Sequence, residues 1–161
     1  MDNSIPYFED EFSAMKPGIP IVERDAINAI VYNRTNDEVL CLDWAKFGWR
    51  SFIIGGIEGE EDSVAAALRE ISEETGYRDL KFIARLGRTR SGCYAAHKGV
   101  NRISNATGLL FELISNSREE VLGLENLPHT FIWIKRSEVS SFINLTSQKY
   151  IWEKAQEYLD K

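Results

Sequence analysis

Apolar residues fall into short continuous runs and two helical stripes. Ala26–Tyr32 (AINAIVY) and Val39–Leu42 are nearly unbroken, and NRTNDE between them is rich in turn formers. They predict two buried strands paired as a hairpin. Arg50–Ile54, Lys81–Arg90, Ser104–Ile114 and Phe131–Lys135 predict further strands. Between Asp62 and Gly76 the spacing changes to helical: at 100° per residue Val64, Ala67, Leu68 and Ile71 share one face. Asp62 and Ser63 are N-cap types, and Gly76 is placed to end the helix in a left-handed turn. Ser137 is expected to cap a short helical piece, and Thr146 to begin a C-terminal helix with Ile151, Ala155 and Leu159 on one side. Pro6, Pro17 and Pro20 interrupt residues 1–23, read as an N-terminal arm that lies over the domain of residues 24–161 or swaps onto a partner.

The first helical stripe raises an electrostatic problem. Glu70, Glu73 and Glu74 are expected together on the face opposite the apolar one. Carboxylates so spaced repel by a few tenths of a kcal/mol per pair, roughly, and the last turns of a helix disfavour negative charge. Arg69 offsets part of this, while Glu58, Glu60, Glu61 and Asp62 add to it. A solvated acidic face is one solution. A hard divalent cation is the other, since Mg²⁺ takes oxygen ligands and keeps waters that phosphate oxygens can replace. The glycines bracketing the acids at fixed spacing favour the cation.

That spacing, G-x5-E-x7-R-E-I-x-E-E-x-G-Y over Gly55–Tyr77, resembles a Nudix box, the signature of hydrolases that cleave a nucleoside diphosphate linked to another moiety. Seven fixed positions would match by accident on the order of once in 10⁸–10⁹ starting points. The resemblance implies an α/β protein, an α/β/α sandwich with a mixed sheet, the box loop-helix at its centre and a C-terminal helix. It implies Mg²⁺, with Mn²⁺ as a substitute, and metal ligands at Glu70, Glu73 and Glu74, the last bridging ions. Arg69 would orient these carboxylates. Glu61 would hold a further metal through water or brace the loop–helix junction. Gly55 and Gly76 would be structural, with a main-chain carbonyl near Gly55 as a ligand. Ile54 before Gly55 and Gly56 after it leave open which carbonyl serves. Tyr77 replaces the usual aliphatic closing residue. For the general base, Glu119, Glu120 and Glu125 lie in a loop that reaches the metal site in relatives; Glu120 is favoured, and Glu74 acting alone is the alternative.

Composition narrows the class without naming the substrate. The chain has 161 residues, 43% of them hydrophobic, which suits one domain with a sizeable core. A net charge of −6 argues against broad nucleic-acid or anionic-membrane binding. Cys41 and Cys93 give no disulfide framework and fit a reducing compartment. MDNSIPYFEDEF is acidic and lacks the apolar run of a signal peptide, and no segment suits a membrane helix, so a cytoplasmic location is expected. The arm makes a homodimer plausible.

Recognition of a small-molecule nucleotide substrate must come from outside the box. RTRSGCYAAHKGVNR carries Arg88, Arg90, His97, Lys98 and Arg102, a local basic cluster suited to phosphate. Tyr94, Trp44, Phe47 and Trp49 offer aromatic surface for a base; the alternative for Trp44 and Trp49 is a half-buried hairpin tip. His97 and His129 are expected to be structural, and nothing around Cys93 marks a nucleophile. PGIPIVERDAINAIV and AAHKGVNRISNATGLLFEL are also similar to Nudix modules that accompany some bacterial leucyl-tRNA synthetases, which implies either a nucleotide-clearing role near aminoacylation or shared ancestry. The competing functions are a catalytically weak nucleotide sensor, an enzyme like isopentenyl diphosphate isomerase, which shares the fold, and a protein-binding module.

Overall fold

The structure, a computed structural model, describes residues 5–161, so the first four residues of the expected arm lie outside the described residues. Its spine is the parallel pairing of β2 (Ile21–Asn33) with β7 (Val100–Leu113), in register from Ile21↔Asn101 to Tyr32↔Glu112. Antiparallel to β7 runs β6 (Leu80–Ala95), and β1 (Tyr7–Glu9) adds a parallel edge strand against Arg90–Gly92. On the other side, β3 (Glu38–Trp44) pairs with the end of β2, and β4 (Trp49–Ser51) and β8 (Thr130–Lys135) pair with β3. A further strand, β5 (Ile53–Gly56), joins the start of β2.

Alternation along β2 sends its side chains to two cores. Ile27, Ala29 and Val31 pack with Ala66, Ala67 and Ile71 of α1 (Ser63–Thr75). Ile30 and Tyr32 pack with Ile151, Trp152, Ala155 and Leu159 of α3 (Thr146–Leu159). Both faces of the sheet are therefore covered, which is why its central strands read as unbroken apolar runs. The architecture is the α/β/α sandwich expected from the sequence.

Several boundaries differ from expectation, each for a physical reason. β2 starts at Ile21 rather than Ala26, and β6 and β7 run past the expected limits at Arg90 and Ser104 to meet in a tight turn near residues 96–99. These extensions are polar because one of their faces lines a cavity rather than a core. The strand expected at 50–54 breaks at Phe52, whose N–H donates to Gln148 Oε1 at 2.8 Å. Ser137 caps nothing: a 3₁₀ turn at Arg136–Glu138 leads into α2 (Val139–Phe142) with no side-chain cap bond. From Tyr7 to Glu9 the segment read as an arm pairs with the chain's own β6.

Asp62 does cap α1, its Oδ1 accepting from Ala65 N at 2.8 Å, and Gly76 ends it at φ +83°. A Cβ on Gly76 would collide with the Glu119 carbonyl. The helix is rotated from the expected orientation. Leu68 is exposed, Ala66 is buried, and Glu74 is only 9% exposed. Ala67, Glu70, Ile71 and Glu74 form one i, i+3, i+4, i+7 stripe, so seating Ala67 and Ile71 on β2 draws two acids inward. Glu73 alone of the three points to solvent.

Candidate active site

Arg69 is the hub of the box. Its guanidinium donates to both oxygens of Glu61 at 2.9 and 3.0 Å, to Glu70 Oε1 at 2.8 Å and to Glu73 Oε2 at 3.3 Å. It also donates to the Gly56 carbonyl at 2.8 Å, which joins the helix to the end of β5. Hydrogen bonding to Arg69 holds the Glu61 carboxyl below its usual range. Glu61 braces the loop–helix junction, since it also accepts from Glu58 N at 3.1 Å. Glu70 crosses directly over Gly55, where any Cβ would collide with its Cγ and Cδ. That close approach is what this glycine permits.

Glu74 is the buried acid. Its Oε1 lies 3.0 Å from Nε2 of His129, itself 6% exposed and packed edge-on against Trp44 at 4.5 Å between ring centroids. Its other oxygen, Oε2, is buried without a hydrogen-bond partner among the described residues. Burial pushes the Glu74 carboxyl up, and the bond to His129 only partly opposes this. Glu70 is raised to about 7, first by burial and then by the charge of Glu74. Two acids so placed and one orphaned carboxylate oxygen are the donor set that a hard cation would satisfy. Glu70, Glu73 and Glu74 could hold one; the Gly56 carbonyl is already engaged by Arg69. Among the described residues no three acid, histidine or cysteine side chains are already closed around a point, and Arg69 stands among the carboxylates instead.

Beside these acids opens a cavity of about 300 Å³. Glu70, Glu74, Gly55 and Gly56 line one part, and Arg24, Arg102 and Lys98 line another. Trp44, Trp49, His97 and His129 form one wall, while Asp10, Ser13, Ser147 and Gln148 come from the N-terminal segment and the start of α3. The expected recognition cluster is split by the pleat. Cys93, Ala95 and Arg102 face the cavity, whereas Tyr94 lies outside it with Lys16 over its ring at 4.2 Å. Arg90 instead pairs with Glu23 at 3.3 Å, and Arg88 is exposed outside the cavity. Trp44 and Trp49 are largely buried, packed edge-to-face at 5.2 Å under His97, and both line the cavity. Glu120, expected as base, is exposed on the loop between β7 and β8 and does not line the cavity; neither does Glu125.

Sequence reasoning passes over Arg24 and gives His129 only a structural place. Arg24 stands in a polar stretch that carries no strand signal, and it reaches the cavity only because β2 runs parallel to β7. His129 follows Pro128 before β8, and only the three-dimensional pairing with Glu74 distinguishes it from an ordinary buried histidine.

The family model of the NUDIX domain matches residues 22–144. The chain belongs to the Nudix family. An Ap4A hydrolase from C. elegans superposes with a TM-score of 0.63 at 15% identity, covering 86% of this chain and 99% of that one. The E. coli dihydroneopterin triphosphate pyrophosphohydrolase gives 0.59 at 15% identity, over 88% and 96% of the two chains. RenU, a Nudix hydrolase from M. smegmatis, gives 0.62 at 13%, over 92% and 94%. At such identities these neighbours speak to the fold. No curated protein matches the sequence significantly. As a Nudix enzyme the protein is a pyrophosphohydrolase, and Nudix hydrolases use divalent metal ions. The narrower similarity to modules of leucyl-tRNA synthetases gains no support from these relatives. No helix among the described residues is long and apolar enough to cross a membrane.

Proposed function

We propose that this protein hydrolyses, with Mg²⁺, a pyrophosphate linkage in a nucleoside diphosphate joined to another moiety. The observation that carries this is Glu74: a buried carboxylate with one oxygen fixed by His129 and the other without a partner, beside a second buried acid and open to a cavity. Glu70, Glu73 and Glu74 would hold the metal, with Mn²⁺ as a substitute. When bound, the cation neutralises phosphate oxygens and lowers the pKa of a water. Arg69 keeps Glu70 and Glu73 aligned through its several donors, and Glu61 and the Gly56 carbonyl anchor Arg69 in turn. His129 and the edge of Trp44 exclude solvent from one side of Glu74. Because Glu120 stands outside the cavity, proton transfer from the attacking water falls to the helix carboxylates, Glu74 first. Arg24, Arg102 and Lys98 receive phosphate oxygens.

The isomerase alternative would use Cys93 as an acid–base group beside a glutamate. Burial raises that thiol, and its cross-strand neighbour is Arg102. Both cysteines are free thiols, as suits a reducing, cytoplasmic setting. Phosphate release from a panel of nucleotide-sugars, dinucleotides and NTPs, with Mg²⁺ and with EDTA, tests the proposal. Metal-dependent turnover of at least one class is expected; no turnover of any would remove it.

A further inference from the structure

The cavity continues well past the carboxylates. The box glycines sit at the level of Ala26 and Ile27 on β2, through Ala26↔Gly56 and Ile27↔Gly55. Arg24 comes two residues earlier, beside Gly56, where a Cβ would lie 3.1 Å from its Nη1. Arg102 pairs at the level of Val22, and Lys98 lies beyond it in the β6–β7 turn. At ~3.3 Å per strand residue, Arg102 is ~13 Å along the sheet from the box glycines. These cations therefore extend further than the two phosphates of a linkage held at the acids.

None of the three forms an ion pair among the described residues, although the chain is acidic overall. The Arg24 Nε is buried with no hydrogen-bond partner among the described residues. Of the acids that line the cavity, Asp10 accepts from Thr146 N at 3.3 Å, and the charge of Glu70 only partly offsets the burial of Arg24. Burial and Arg102 both lower the Arg24 pKa, and burial together with Lys98, Arg24 and Arg102 drives His97 down to about 4. Arg24 and Arg102 are half-buried and Lys98 is exposed beside them; unpaired cations facing one another, two of them partly desolvated, are unfavourable until an anion lies between them.

We propose that Arg24, Arg102 and Lys98 form an anion track beyond the carboxylate site, and that preferred substrates carry a phosphate outside the linkage being cut. Nucleoside triphosphates and dinucleoside polyphosphates meet this condition; ADP-sugars with an uncharged far end do not. The substrate half of the proposal rests on the hydrolase function above, while the track itself does not.

Inorganic tripolyphosphate, titrated calorimetrically into the metal-free protein in EDTA, reads the track alone. Binding is expected, weakening with salt. Arg24→Gln and Arg102→Gln should each weaken it by at least ~10-fold, while Lys81→Gln, on the exposed far end of β6, leaves it unchanged. With Mg²⁺, wild-type kcat/KM should favour polyphosphates over an ADP-sugar by ~10-fold, and Arg102→Gln should narrow that ratio. Absence of tripolyphosphate binding, binding indifferent to both arginines, or a preference for the ADP-sugar would overturn the proposal. Turnover without tripolyphosphate binding removes the track and leaves the hydrolase. Tripolyphosphate binding without any turnover does the reverse.

Discussion

The two ends of the cavity are built in opposite ways. At one end acids from a single helix converge around Arg69, within a continuous stretch of sequence from Gly55 to Gly76. At the other, Arg24 of β2 meets Lys98 of the β6–β7 turn and Arg102 of β7 across more than seventy residues of sequence, brought together by sheet pairing. The acid end is over-determined: a salt-bridge hub, a capped helix and a glycine under Glu70 all fix the same geometry. The cations at the other end form no ion pair among the described residues. We take the first to perform the chemistry and the second to choose the substrate.

The largest effect is expected from Glu74→Gln. It removes the buried charge while keeping the shape, so metal-dependent kcat/KM should fall by at least ~100-fold. The metal-free protein should keep or raise its Tm, because the desolvated charge is gone. Steady-state kinetics and thermal denaturation in EDTA check both; a parallel fall in Tm would make Glu74 structural. Gly55→Ala comes next. Its Cβ would displace Glu70, at a cost of about 1–3 kcal/mol and a loss of activity, readable by urea unfolding and turnover. Near-native values for both would mean that the close approach is not needed.

A smaller effect follows from the titration of Glu70. Its folded value of about 7 lies above its ordinary 4.5, so the folded state binds this proton more tightly than the unfolded one. The resulting stability is full below about 4.5 and is lost as pH rises through about 7. In EDTA, wild type should therefore lose Tm relative to Glu70→Gln across that window. A constant difference between the two proteins would contradict the burial of Glu70. The smallest effect belongs to Glu120→Gln, which should leave kcat within about twofold because a side chain outside the cavity cannot accept a proton there. A drop of ~100-fold would return the general base to the loop.

The legibility of the sequence follows the same division. The box could be read because helical spacing converts positions in sequence directly into positions in space: Asp62 caps the helix, Gly76 ends it, and Arg69 reaches Glu70 and Glu73. The helix orientation was misjudged because Leu68 counts as apolar, whereas Ala66 is the smaller residue that fits against the sheet. The two cores were legible from the unbroken runs at Ala26–Tyr32 and Val39–Leu42. The cavity was not. Arg88, Arg90 and Tyr94 adjoin Lys98 and Arg102 in sequence, yet the pleat and the hairpin send them elsewhere. Arg24 lies far upstream and enters through a parallel register that no local pattern encodes. The polar ends of β2, β6 and β7 resemble loops because their buried face meets a cavity instead of a core.

The central claim is that the Glu74 carboxylate helps hold a divalent cation beside this cavity. Calorimetric titration of Mn²⁺ into metal-free wild type and Glu74→Gln tests it most directly. Saturable binding by wild type, weakened at least ~10-fold by the substitution, is the predicted result. Equal affinity in the two proteins, or no binding by wild type, would contradict it.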